Sequence, residues 1–203
     1  MTKIHLNGRL VDACEARIDP ADRGLLLADG LFETLRAYDG RLFCLNAHLA
    51  RLAAGAAVLG LPAPPLPEIA VAARDTLAAN GLADASIRIT LTRGAGPRGL
   101  LPPTGVTPTL MVAAYPLPSS LPTAMSACLA SIRRNEQSPL SRIKSLAYLE
   151  NILALGEAAA AAGSSSWNQI GSGIRAGGDV GRGACRRAAT PQRMRLASSS
   201  RPP

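Results

Sequence analysis

The spacing of apolar positions changes several times along the chain, and each change marks an element. Residues 4–10 flank Asn7-Gly8, the pair best suited to a two-residue turn with positive φ, and predict a β-hairpin. Residues 32–38, then Asp39-Gly40, then 41–45 predict a second. Asn46 can cap a helix in which Leu49, Leu52, Ala56 and Leu59 recur at helical spacing, and Gly60 ends it. A link carrying Pro62, Pro64, Pro65 and Pro67 leads to a second helix over 68–79, stopped by Asn80-Gly81. Ile87, Ile89 and Leu91 alternate with polar neighbours as in a half-buried strand. Residues 93–108 read as a Gly/Pro-rich loop and 109–115 as another strand.

Pro116, Pro118 and Pro122 interrupt the pattern and mark a domain boundary. Residues 125–132 predict a strand entering a second unit. Lys144 opens a predicted helix of about 18 residues, with Leu149, Ile152, Leu153 and Ala160 on one face and Gly163 as its stop. From Ser164 the chain is rich in Ser, Gly, Arg and Pro without an apolar period. Such a segment buries too little surface to offset its ordering entropy, so disorder is expected. The reading is an α+β fold: a domain over 1–116, the start of a second over 117–163, and a tail over 164–203.

Composition narrows the class. With 47% of its 203 residues hydrophobic, the chain is not disordered as a whole. No apolar run approaches the ~20 residues of a membrane helix, and Met1-Thr2-Lys3-Ile4-His5 lacks a secretory pattern. Cys14, Cys44, Cys128 and Cys185 form no CxxC pair, which argues against a zinc site or a disulfide framework. A reduced, cytoplasmic protein without membrane attachment is expected. The net charge of +8 is unevenly placed: 1–163 hold 15 Lys/Arg against 13 Asp/Glu, whereas 164–203 hold seven arginines against Asp179. A tail with Trp167 as its one aromatic has no scaffold for reading nucleic acid, so no specific nucleic-acid partner is expected.

Few residues carry candidate chemistry. Lys144, one of two lysines, stands at a loop-to-helix junction in RIKSLAYLENILA. A partly desolvated lysine amine can form a Schiff base with a carbonyl cofactor; the alternative is a solvated surface lysine. Arg51, in HLARL, can offer a planar fork to a phosphate or serve as a solvated helix arginine. In TRGAGPRGLLPP the glycines permit close backbone approach, and Arg93 and Arg98 could grip a carboxylate. His5 and His48 are too isolated for a metal site, and His48 reads as a packing or capping residue. No hydrolytic triad emerges.

In order, LNGRLV, DRGLLLADGLFETLRAYDGRLF, LNAHLARL, IRITLTRGAGPRGLLPP and SPLSRIKSLAYLENILALGEA resemble the class-IV aminotransferase family, the fold-type IV pyridoxal-phosphate enzymes. The resemblance runs from about Ile4 to Gly163. It implies pyridoxal 5'-phosphate as cofactor, Lys144 as Schiff-base lysine and proton shuttle, Arg51 as phosphate anchor, and Tyr148 near the cofactor's phenolic oxygen. Ala147 stands where asparagine is common. Phe32 and Leu100 depart from the tyrosine and the Arg-x-His of D-amino-acid aminotransferases. The RGxGxRG loop resembles 4-amino-4-deoxychorismate lyases, which make p-aminobenzoate for folate synthesis, so that activity is expected first. A branched-chain-type aminotransferase is second, and a small amino-group substrate and a homodimer are implied. Phe32, Arg93 and Arg98 are the candidate substrate contacts.

The family pattern continues past the lysine helix with a glutamate for the pyridine nitrogen and a phosphate-cradling turn. Residues 164–203 match neither and contain no glutamate. They are expected to be an out-of-frame or non-homologous ending, which adds a third expectation, an inactive remnant.

Overall fold

The computed structural model describes residues 2–118 and 129–162, together with a short strand pair, Ala124–Met125 with Met194–Arg195. Of the strand expected over 125–132, Met125 is in a strand, 129–132 are not, and 126–128 lie outside the described residues, as does the tail expected to be disordered over 164–203 except for the strand Met194–Arg195.

The chain forms two units: 1–117 with 137–147, and 118–136 with 148–203. The sequence reading placed 137–147 in the second domain; in the structure this segment packs within the first unit.

Strands β1 (Lys3–Leu6) and β2 (Arg9–Asp12) form the first hairpin, and β3 (Gly30–Tyr38) and β4 (Arg41–Leu42) the second. Both turns use the predicted pairs with positive φ, Asn7 (47°) and Gly8 (86°), then Asp39 (46°) and Gly40 (75°). Between the hairpins a short helix, α1 (Arg23–Leu27), is capped by the Asp22 carboxylate. Helices α2 (Leu45–Leu59) and α3 (Leu66–Ala79) follow, then strands β5 (Ala85–Thr92) and β6 (Thr109–Pro116). Six strands form one antiparallel sheet in the order β2-β1-β6-β5-β3-β4.

The strand pleat explains the core. Leu31, Glu33, Leu35 and Ala37 of β3 face one side and pair in register with Leu91, Ile89, Ile87 and Ala85 of β5; Leu110, Val112 and Ala114 of β6 continue the rows. Onto this face α2 lays Leu45, Leu49, Leu52 and Ala56, and α3 lays Ile69, Ala73 and Leu77, all buried. Each large side chain so buried contributes roughly 1.5–3 kcal/mol. The other face carries Phe32, Arg88, Thr90 and Met111.

Two expected boundaries shift. Helix α2 starts at Leu45 rather than after Asn46, and its cap is Cys44, at φ 51° without a side-chain bond. The chain leaves β4 at Leu42 and must reverse across Phe43 and Cys44, so local turning displaces Asn46 from the cap position. Lys144 opens no helix: in the second unit α4 runs Leu149–Ala162. Along α4, Leu149, Ile152 and Leu153 are exposed while Asn151 and Ala154 are buried, so the expected apolar face is not the buried one. The second unit also contains β7 (Ala124–Met125) paired antiparallel with β8 (Met194–Arg195), and Ser131 donating through N–H and Oγ to Glu157.

Candidate active site

The site is built on an unfinished strand edge. Strand β4 covers β3 only at Ala37 and Tyr38, leaving backbone groups near Gly30 and Phe32 to find other partners. Residues 144–146 supply them: Phe32 N–H donates to Lys144 O at 3.0 Å, and Leu146 N–H donates to Gly30 O at 3.0 Å. Leu31 and Ser145 form the antiparallel bridge between. Gly30 admits this segment, since a Cβ there would lie 2.5 Å from Leu91 O and 2.9 Å from Leu146 Cδ1. The register sets Lys144 opposite Phe32 on the face away from the helices, and Nζ lies 4.1 Å from the Phe32 ring centroid. The guanidinium of Arg88 lies 4.0 Å from the same centroid.

One residue along β3, and by the pleat on the opposite face, Glu33 is fully buried among core side chains. It accepts Arg51 Nε at 2.6 Å, Arg51 Nη2 at 2.5 Å and His48 Nδ1 at 2.8 Å. Burial pushes this carboxyl upward, but bonds from Arg51 and His48 and their charges outweigh it and hold the group below the usual glutamate range. The fork therefore fixes Arg51, whose side chain remains half exposed. Gly55, one turn further along α2, lies against Leu31 and Ile143, which brings this helix stripe beside the Lys144 segment.

The glycine- and arginine-rich loop has a different use. Arg93 is buried; Nε donates to Asp29 at 2.7 Å, Nη1 to Gly60 O at 2.8 Å and Nη2 to Leu59 O at 2.8 Å. Its fork ties the C-terminus of α2 to Asp29, which does not match the expected grip on a substrate carboxylate. Arg23 completes the cluster, donating to Asp29 at 2.8 Å and to Gly99 O at 2.7 Å. Asp29, raised by burial, is held below its ordinary value by the hydrogen bonds and charges of Arg93 and Arg23. Gly94, at φ 86°, sits so close to Thr107 O that a side chain there would collide with backbone. Arg98 is exposed on the loop. Tyr148 belongs to the second unit, where its carbonyl accepts the Ile152 N–H at 3.0 Å.

The first unit also holds a cleft of about 810 Å³ bordered by His5, Leu10, Pro65, Val71 and Asp75, which includes neither Lys144 nor Arg51. Burial lowers the His5 pKa, with Asp75 opposing. Among the described residues no helix is long and apolar enough to cross a membrane, and no group of His, Cys, Asp or Glu could hold a metal ion.

The structure thus joins Lys144 to Phe32 and holds Arg51 on Glu33, the next residue of β3 and on its opposite face, while Arg93 is committed to Asp29 and Arg98 is exposed on its loop. Sequence reasoning missed Glu33 and Arg88. A carboxylate alternating with Leu31 and Leu35 was the available signal for Glu33, since a buried charge must be paired. The alternation of Arg88 with Ile87 and Ile89 was the signal that it shares the face of Phe32. The amine of Lys144 lies on one face of β3 and the clamped guanidinium of Arg51 on the other, on a helix stripe that meets Ile143 next to Lys144; an amine and a guanidinium are the two groups that a phosphorylated aldehyde such as pyridoxal phosphate calls for.

The chain matches the Amino-transferase class IV family over residues 30–166. It is 41% identical over 155 residues to the "Putative branched-chain-amino-acid aminotransferase" of Methanocaldococcus jannaschii, covering 75% of this chain and 54% of that protein. It is 36% identical over 99 residues to D-alanine aminotransferase of Staphylococcus haemolyticus, covering 48% and 35%. The crystal structure of 4-amino-4-deoxychorismate lyase from Pseudomonas aeruginosa superposes with a TM-score of 0.64 at 31% identity, covering 76% and 56%. The chain thus spans about half the length of its relatives, or less. It belongs to the class IV aminotransferase family, whose members depend on pyridoxal phosphate.

Proposed function

We propose that this class IV aminotransferase chain carries the amine and phosphate-anchor parts of a pyridoxal-phosphate site and acts on an amino acid as a branched-chain-type aminotransferase. The observation that carries the reading is Lys144 Nζ on the Phe32 ring, held by backbone pairing along the β3 edge. The row of side chains across the sheet there, Phe32, Thr90, Met111 and Leu6, is mainly apolar and suits an aliphatic substrate. The 41% identity to the archaeal relative supports the same reading.

The cofactor, when bound, supplies an aldehyde and a ring that draws electron density from the substrate's α-carbon. Lys144 Nζ is the amine that would hold the aldehyde, and Arg51 the guanidinium that would hold the phosphate. Glu33 and His48 orient Arg51 through its Nε and Nη2. With the cofactor bound, Lys144 Nζ, once freed from it, would be the general base that takes the proton from the substrate's α-carbon. Arg88, on the same ring, offers a guanidinium to a substrate carboxylate.

A second reading is a 4-amino-4-deoxychorismate lyase, supported by the RGxGxRG loop and by the likeness to the Pseudomonas lyase. It weighs less because Arg93 and Gly94 of that loop have structural duties. Incubating the full chain with pyridoxal phosphate, L-leucine and 2-oxoglutarate, and in parallel with 4-amino-4-deoxychorismate, separates the readings. Glutamate formation supports the first; release of p-aminobenzoate and pyruvate without it supports the second. Neither product would refute both.

A further inference from the structure

We infer that the Thr90 hydroxyl is a specificity-determining contact for the side-chain carboxylate of a dicarboxylic substrate at the Lys144 site. The inference rests on the function proposed above and adds the substrate class that this face can hold.

Thr90 is 9% exposed, and its Oγ1 is buried with no hydrogen-bond partner among the described residues. A buried hydroxyl without a partner is disfavoured, and natural folds rarely keep one without a use for it. The other β5 threonine does have partners: Thr92 Oγ1 donates to Asp22 at 2.9 Å and accepts the Gly94 N–H at 3.0 Å. The contrast within one strand is therefore specific to Thr90.

Its position points to what it contacts. Thr90 pairs in register with Phe32, and Phe32 bonds Lys144 through its backbone N–H, so Lys144, Phe32 and Thr90 form one row on one face. Directly paired side chains on neighbouring strands stand about 5 Å apart at Cβ. Arg88 lies two residues back along β5 on the same face, about 7 Å away at Cα. Lys144 Nζ and the Arg88 guanidinium both rest on the Phe32 ring, at 4.1 and 4.0 Å. A hydroxyl donor and a guanidinium on adjacent positions of one face suit an anionic oxygen better than an aliphatic group. Met111, the next member of the row, provides no hydrogen-bond donor from its side chain. The reaction proposed above passes leucine and 2-oxoglutarate through one site, and the Thr90 hydroxyl lets an otherwise apolar row accept the second.

The test uses the full chain with pyridoxal phosphate and the variants Thr90→Val and Thr90→Ser. L-glutamate and L-leucine affinities are read from the change in cofactor absorbance, and stability from the melting temperature without cofactor. In Thr90→Val the preference for glutamate over leucine should fall about tenfold, as for loss of a hydrogen bond to a charged group. Thr90→Ser should restore it, and the melting temperature of Thr90→Val should be unchanged or higher. If the preference stays within twofold, or if Thr90→Val melts lower than the parent, the inference is wrong even where the cofactor binds Lys144. If the cofactor fails to attach to the parent chain, the function proposed above fails and this inference with it.

Discussion

The two faces of β3 handle polar groups in opposite ways. On the helix side Glu33 is fully buried and every partner it needs is present: two nitrogens of Arg51 and one of His48. On the other side Lys144 and Arg88 lean on a phenyl ring, and Thr90 keeps a buried hydroxyl with no partner among the described residues. A buried carboxylate with all its partners stabilises and orients; the buried Thr90 hydroxyl has a bond still to make. The difference also separates the arginines, because Arg93 is as satisfied as Glu33, with its fork spent on Asp29, Gly60 O and Leu59 O.

The strongest way to break the comparison is at Lys144. Lys144→Ala should lower turnover by about 1,000-fold or more, as for loss of a general base and nucleophile, while the denaturant midpoint stays close to that of the parent. An equal loss of stability would mean that Lys144 belongs with the structural cluster. Arg93→Ala should do the reverse, costing about 3 kcal/mol of stability by leaving Asp29 short of a buried partner. Arg93→Lys should not restore it, because an ammonium cannot span the carboxylate and two carbonyls together. Urea titration of both variants checks this.

A pH series sharpens the comparison further. Glu33 and Asp29 are both held below their ordinary values of 4.5 and 3.8, so the stability they contribute is complete above those values and is lost as pH falls below them. His5 is lowered from 6.5, so the folded state begins to lose stability once pH falls through that value, where the unfolded chain takes up the proton first. Melting curves from pH 8 to 3 should show a shallow upper decline, removed in His5→Gln, and a steeper acid one, reduced in Glu33→Gln. The smallest effect is expected at exposed Arg98, where Arg98→Ala should change stability by no more than about 0.5 kcal/mol.

The local features of the fold were legible in the sequence. Asn7-Gly8 and Asp39-Gly40 form the predicted turns, Gly60 ends α2 in the left-handed conformation, and the alternation of 87–91 is that of β5. Features set by distant partners were not legible. The sequence singles out Lys144 as a residue type, but its surroundings read locally as a helix start, because the free edge of β3 that pairs with 144–146 lies more than 100 residues earlier. Arg93 meets Asp29 at a separation of 64 residues, so its burial was invisible to local pattern. The glutamate for the pyridine nitrogen and the phosphate turn, which the family resemblance leads one to expect beyond 163, are matched by nothing in residues 164–203.

The central claim is that the face of β3 turned away from the helices holds a cofactor-bearing lysine. Its most direct test is to incubate the full chain with pyridoxal phosphate, reduce with borohydride and map the modified peptide by mass spectrometry. The account predicts one phosphopyridoxyl group, on Lys144, absent in Lys144→Ala and weakened in Arg51→Ala. Label on Lys3 instead, or no label on a folded chain, would contradict it.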